Sequence, residues 1–174
     1  MGTSAHLSPL LRKAWRLGIR SAKDLETIAL ARGLRYFATP GVVHGGLAQR
    51  PATPAVDPAR LSNEELAIAL ANPAAPYSLK RIRMAAAIMA ADGVSAETIV
   101  RLACQERCES IVAHIARCGS QVEPSNPFWQ SLLEHLPDTP PAKPDILPHI
   151  SRFVAMAGIT RNGRQTTMQW IRPS

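Results

Sequence analysis

The sequence predicts a mainly α protein. Six or seven short helices form an N-terminal helical hairpin and a central helical bundle, followed by a C-terminal β-hairpin. Three observations predict this. Apolar residues recur at three- and four-residue spacing in runs between residues 9 and 136. Most runs are preceded by Ser or Asn and followed by Gly or Pro. After residue 148 the apolar period drops to two, around the turn dipeptide Asn162-Gly163.

The N-terminal hairpin comes first. Ser8 caps a helix whose first residue is Pro9, where a missing N–H costs nothing. Leu10, Leu11, Ala14 and Leu17 form its stripe, and Gly18 stops it. Ser21 caps a second helix, with Asp24 completing a weaker variant of the capping box. Leu25, Ile28 and Ala29 follow at helical spacing, and Gly33 ends the run. This basic hairpin occupies 1–40. Gly45-Gly46, Pro51, Pro54 and Pro58 then mark 41–60 as a linker or surface loop.

The central helical domain spans 61–136. Ser62 with Glu65 makes a capping box, and Leu66, Ile68, Ala69 and Leu70 follow before Asn72-Pro73. Ser78 opens the next helix, closed by Asp92-Gly93, and Ser95 caps another. The apolar spacing between 96 and 118 fits one bent helix or two. Asn126-Pro127 opens a last helix carrying Phe128, Leu132 and Leu133. Prolines make 137–148 a stiff connector. In 149–174 Arg161 pairs with Arg164 across the turn, which sets Ile159 opposite Thr166 and Ala155 opposite Trp170. Phe153, Ala155, Ala157, Ile159, Met168 and Trp170 then share one apolar face. A lone hairpin is marginal in water, so that face is expected to dock on the helices.

Charge is unevenly spread over the 174 residues, whose net value is +7. Residues 1–50 hold eight Lys/Arg against two acids, or +6. Residues 51–145 hold eight against eleven, or −3, and residues 146–174 hold four Arg and no acid, or +4. Basic ends flanking an acidic middle attract polyanions. The expected nucleic-acid contacts are Arg12, Lys13, Arg16, Arg20 and Arg35 at one end and Arg161 and Arg164 at the other. Trp15 beside the first group suits unpaired bases, which stack on aromatics while phosphates pair with cations. The plainer reading is a solvated helix face with Trp15 in the core.

Other chemistry is sparse. Cys104-x3-Cys108-x5-His114-x3-Cys118 offers four soft ligands in fifteen residues. On one straight helix its ends would lie about 21 Å apart, so only a sharp turn near Arg107 would gather them. No metal and no cofactor are expected. A helix-turn-helix over 79–118 has the right inventory of helices, but Glu106 and Glu109 would face phosphates on its recognition helix. Phosphate-binding, dinucleotide, nucleophile-elbow and zinc-protease motifs are missing from the sequence, so the expectation is a non-enzymatic protein. No apolar run approaches the ~20 residues that span a bilayer. Three clustered cysteines make a poor disulfide framework and point to a reducing, cytoplasmic setting. The expected function is a nucleic-acid-associated protein that binds through its basic ends. The alternative is a helical protein-interaction module, or a small subunit of a larger complex.

Overall fold

The structure, a computed structural model, describes residues 7–38, 56–74, 78–138, 140, 147, 159–161, 164–166 and 169–171. The described residues are mainly helical. The order is α1 (Pro9–Arg16), α2 (Ala22–Ala31), β1 (Arg35–Ala38), a 3-10 turn (Pro58–Arg60), α3 (Asn63–Ala71), α4 (Leu79–Met89), α5 (Ala96–Glu106), α6 (Glu109–Val122) and α7 (Pro127–His135). The short strands β2 (Ile159–Arg161), β3 (Arg164–Thr166) and β4 (Gln169–Ile171) follow.

The helices start where their caps dictate. The hydroxyls of Ser8, Ser21, Ser62, Ser78 and Ser95 each accept a backbone N–H of the following first turn. Ser21–Asp24 and Ser62–Glu65 are complete, reciprocal capping boxes. Asn126 caps α7 ahead of Pro127. Both N-terminal helices end in the same left-handed stop. Gly18 and Gly33 have positive φ, and Ile19 and Leu34 donate their N–H back to the carbonyls of Ala14 and Ala29.

The α5–α6 junction has no glycine. Arg107 takes the left-handed conformation itself at φ 56°, and Cys108 donates its N–H to the Ala103 carbonyl. Residues 96–118 therefore belong to two helices. Glycine is the usual residue at such a stop, so its absence leaves this break unmarked in the sequence.

One core joins the N-terminal helices to the central ones. Leu10, Ala14, Leu25 and Ile28 lie in the same buried cluster as Leu66, Ile88, Val112 and Trp129. Leu66 to Ala71 are all buried, so α3 beyond its first turn is enclosed on every side, against α1, α2, α4 and α5. Helix α7 covers the other end, packing on α5 and α6. Residues 56–60, placed by the sequence in the linker, are tied to this body. The Arg32 guanidinium donates to the carbonyls of Pro58 and Leu61 and, at 2.6 Å, to the Asn63 side chain. The rest of that linker, residues 41–55, lies outside the described residues, as does most of the 137–148 connector.

Strand β2 pairs antiparallel with β3 in the register Ile159↔Thr166, Thr160↔Gln165, Arg161↔Arg164. Strand β4 pairs with β1, Arg35 opposite Ile171, a pairing that nothing local in the sequence marks. The turn residues 162–163, residues 149–158, Met168 and the side chains of Ile159 and Trp170 lie outside the described residues, and with them the expected apolar face and the Ala155–Trp170 pairing.

Candidate nucleic-acid interface

The candidate surface is built on α1. Leu10 and Ala14, four residues apart, fill the core. That fixes the opposite side of the helix, where Arg12 neighbours Trp15 and Arg16 at spacings of three and four. All three are exposed, Trp15 to 48%. Trp15 is therefore not the core residue of the plainer reading.

The left-handed turn at Gly18 folds the chain back over the end of α1. It brings the Arg20 guanidinium over the Trp15 ring, 4.1 Å from its centroid. The backbone of Arg20 is anchored: its N–H and the Ser21 N–H donate to the same Asp24 carboxylate oxygen at 2.9 and 2.8 Å. These hydrogen bonds keep the Asp24 carboxyl below its ordinary pKa.

The other end of α1 is locked into the interior. Glu106 is only 4% exposed. One of its carboxylate oxygens accepts the Leu10 N–H at 2.9 Å, and the other accepts the buried Asn72 amide at 2.9 Å. A carboxylate at the positive end of a helix dipole satisfies donors that α1 cannot satisfy itself. A helix-turn-helix would set Glu106 against phosphates; here the side chain is buried instead. The left-handed turn at Arg107 ends α5 just after Glu106, and that carboxylate is sequestered under α1. This 96-residue contact has no local signature in the sequence.

The predicted cations fare differently from one another. Lys13 forms an ion pair with Glu65, its Nζ 2.6 and 2.8 Å from the two carboxylate oxygens. Among the described residues no ion pair involves Arg12, Arg16 or Arg20. Arg32, one of the eight cations behind the +6, is engaged inside the fold, where desolvation lowers its pKa against the raising influence of Glu64, Asp57 and Glu65. Arg35 lies on β1 opposite Ile171, and Arg161 and Arg164 occupy directly opposed positions of β2 and β3. The side chains of these three lie outside the described residues.

The cysteine cluster is pulled apart. The sharp turn at Arg107 exists, but it leaves Cys104 exposed while Cys108 and Cys118 enter the core. Among the described residues no three His, Cys, Asp or Glu side chains gather as a metal site would require. Cys118 Sγ does lie 3.7 Å from His114 Nε2, a pairing one helical turn apart. Burial raises the Cys118 thiol to about 11 and the Cys108 thiol to about 12, Glu109 and Glu106 adding to the latter. Nucleophilic and metal-binding cysteines need the thiolate, which these environments oppose at neutral pH.

No helix among the described residues is long and apolar enough to cross a membrane. No family model matches the chain, and comparison with curated proteins and with solved structures likewise finds no match.

Proposed function

We propose that this is a non-enzymatic, nucleic-acid-associated protein that holds the sugar-phosphate backbone on the outer face of α1. The observation carrying this reading is the exposed cluster of Arg12, Arg16 and Arg20 around Trp15, without an ion-pair partner among the described residues. Free guanidinium groups fit phosphate oxygens two at a time, without regard to sequence. Lys13 is a weaker participant because Glu65 already neutralises it. The buried thiols of Cys108 and Cys118, raised by desolvation, are poor candidates for a thiolate nucleophile.

Arg35, Arg161 and Arg164 are proposed as a second contact. In this reading β2 and β3 are the arms of a C-terminal hairpin turning at Asn162-Gly163 and docked on the helices. The supporting observations are the Arg161↔Arg164 register and the pairing of β4 with β1, which continues from α2 after the buried Leu34.

The test is a titration of single- and double-stranded DNA and RNA across a salt series. It compares the wild type with a triple Arg12→Glu, Arg16→Glu, Arg20→Glu variant. Binding is expected to weaken with salt. The variant's slope of log affinity against log salt should be shallower by about 0.7 to 0.9 for every phosphate it no longer neutralises. Equally weak binding by both proteins would reduce the charge to a solubility feature. It would leave the helical body as a protein-interaction module or complex subunit.

A further inference from the structure

We infer that the α1 surface is a single-base platform, with Trp15 stacking one unpaired base of a single strand while Arg12 and Arg16 hold its flanking phosphates. The inference rests on the nucleic-acid reading above and narrows it to strands with unpaired bases. A large aromatic side chain is normally withdrawn from water, and Trp15 is one of only two large hydrophobic side chains exposed among the described residues. It is not exposed for lack of anchoring, since Leu10 and Ala14 of the same helix are buried and Glu106 ties down the helix start.

The indole is also already sandwiched on one side. Arg20 lies over its ring at 4.1 Å, the distance of a cation–π contact, while the residue keeps 48% of its surface open. The part of the indole left open is where a further planar group would stack, and bases are the planar groups of a polyanion. Arg12 and Arg16 stand one turn apart, about 5–6 Å between Cβ atoms. That is close to the spacing of consecutive phosphates along a strand. Paired bases present no free face, so a duplex engages the arginines without the indole.

A membrane surface would also take arginine and tryptophan together, but α1 has little to insert. Its apolar positions Leu10 and Ala14 are used in the core, leaving Trp15, the half-buried Leu11 one turn before it and the preceding Leu7.

The experiment compares the wild type, Trp15→Ala, Trp15→Phe and the triple arginine variant. The probes are a twelve-nucleotide oligo-uridine, the matching oligo-thymidine, a mixed-sequence duplex and vesicles of anionic phospholipid. Trp15→Ala is expected to weaken binding of either single strand roughly five- to a hundredfold and to leave duplex binding unchanged. Trp15→Phe should retain part of the affinity. Quenching of tryptophan emission by the single strand, present in the wild type, should be missing from Trp15→Phe. Single-strand binding that survives Trp15→Ala but not the triple variant would overturn the stacking inference and leave the backbone-binding reading standing. No binding to any nucleic acid would overturn both. Vesicle binding that depends on Trp15, without nucleic-acid binding, would overturn both in favour of a membrane surface.

Discussion

At the scale of single residues, the polar groups that matter are those whose partners are far away in sequence. Lys13 and Glu65 are 52 residues apart, and Leu10 and Glu106 are 96 apart. Counting charges along the chain therefore overstates the cation available at the N-terminal end, because Arg32 and Lys13 are engaged in the fold. Arg12 and Arg16 are legible as surface residues because the Leu10–Ala14 stripe fixes what lies opposite it, whereas Arg20 is brought beside them by the turn at Gly18. The cysteines yield a residue-scale prediction. Burial raises Cys108 from its ordinary 9.0 to about 12 and Cys118 to about 11. The folded state then holds protons that the unfolded chain releases above pH ~9. Stability is complete below that pH and falls as pH climbs toward the folded values. Denaturant titrations from pH 8 to 11 should show the wild type losing stability more steeply than Cys108→Ala. Parallel curves would mean that the Cys108 thiol is not desolvated.

At the scale of elements, helix starts are readable and one helix end is not. A capping hydroxyl and an N1 proline act within three residues, so Ser8-Pro9, Ser62-x2-Glu65 and Asn126-Pro127 announce α1, α3 and α7 from local sequence. The α5–α6 break depends on Arg107, itself exposed between the buried Glu106 and Cys108, accepting a left-handed conformation without a sequence mark. Strand β1 is hidden in the sequence for a related reason. Its four residues show no alternation, and its partner β4 lies more than a hundred residues away. Packing between α6 and α7 supplies a sharp test. Trp129 is fully buried, donates its Nε1–H to Glu123 at 2.9 Å, and lies against Gly119 so closely that a Cβ there would come within 2.3 Å of the ring. Gly119 sits inside a helix, where alanine would otherwise be favoured by roughly 0.5–1 kcal/mol. Gly119→Ala is nonetheless expected to destabilise the protein by about 1–3 kcal/mol, because the indole has to move. Thermal or urea unfolding measures this, and a neutral or stabilising result would contradict the close approach of α6 to α7.

At the scale of the whole molecule, the mainly α class follows from periodicity, and the sharing of one core by α1, α2 and the central helices does not. The sequence shows that Leu10, Ala14 and Ile28 need burial, but not that α3, enclosed beyond its first turn, receives them. That shared core makes the basic face proposed as the interface part of the body rather than a tethered arm. On that face Lys13 is paired with Glu65, and this separates it from Arg12 and Arg16, which have no ion pair among the described residues. The most direct measurement is the salt dependence of single-strand binding by the wild type, Arg12→Ala, Arg16→Ala and Lys13→Ala. Each arginine variant should flatten the slope of log affinity against log salt by about 0.7, the value for one phosphate contact on a single strand. Lys13→Ala should leave the slope nearly unchanged, since Glu65 already holds that charge. Equal flattening by all three would mean that α1 acts as undifferentiated positive charge, and no flattening by either arginine variant would contradict the proposed interface.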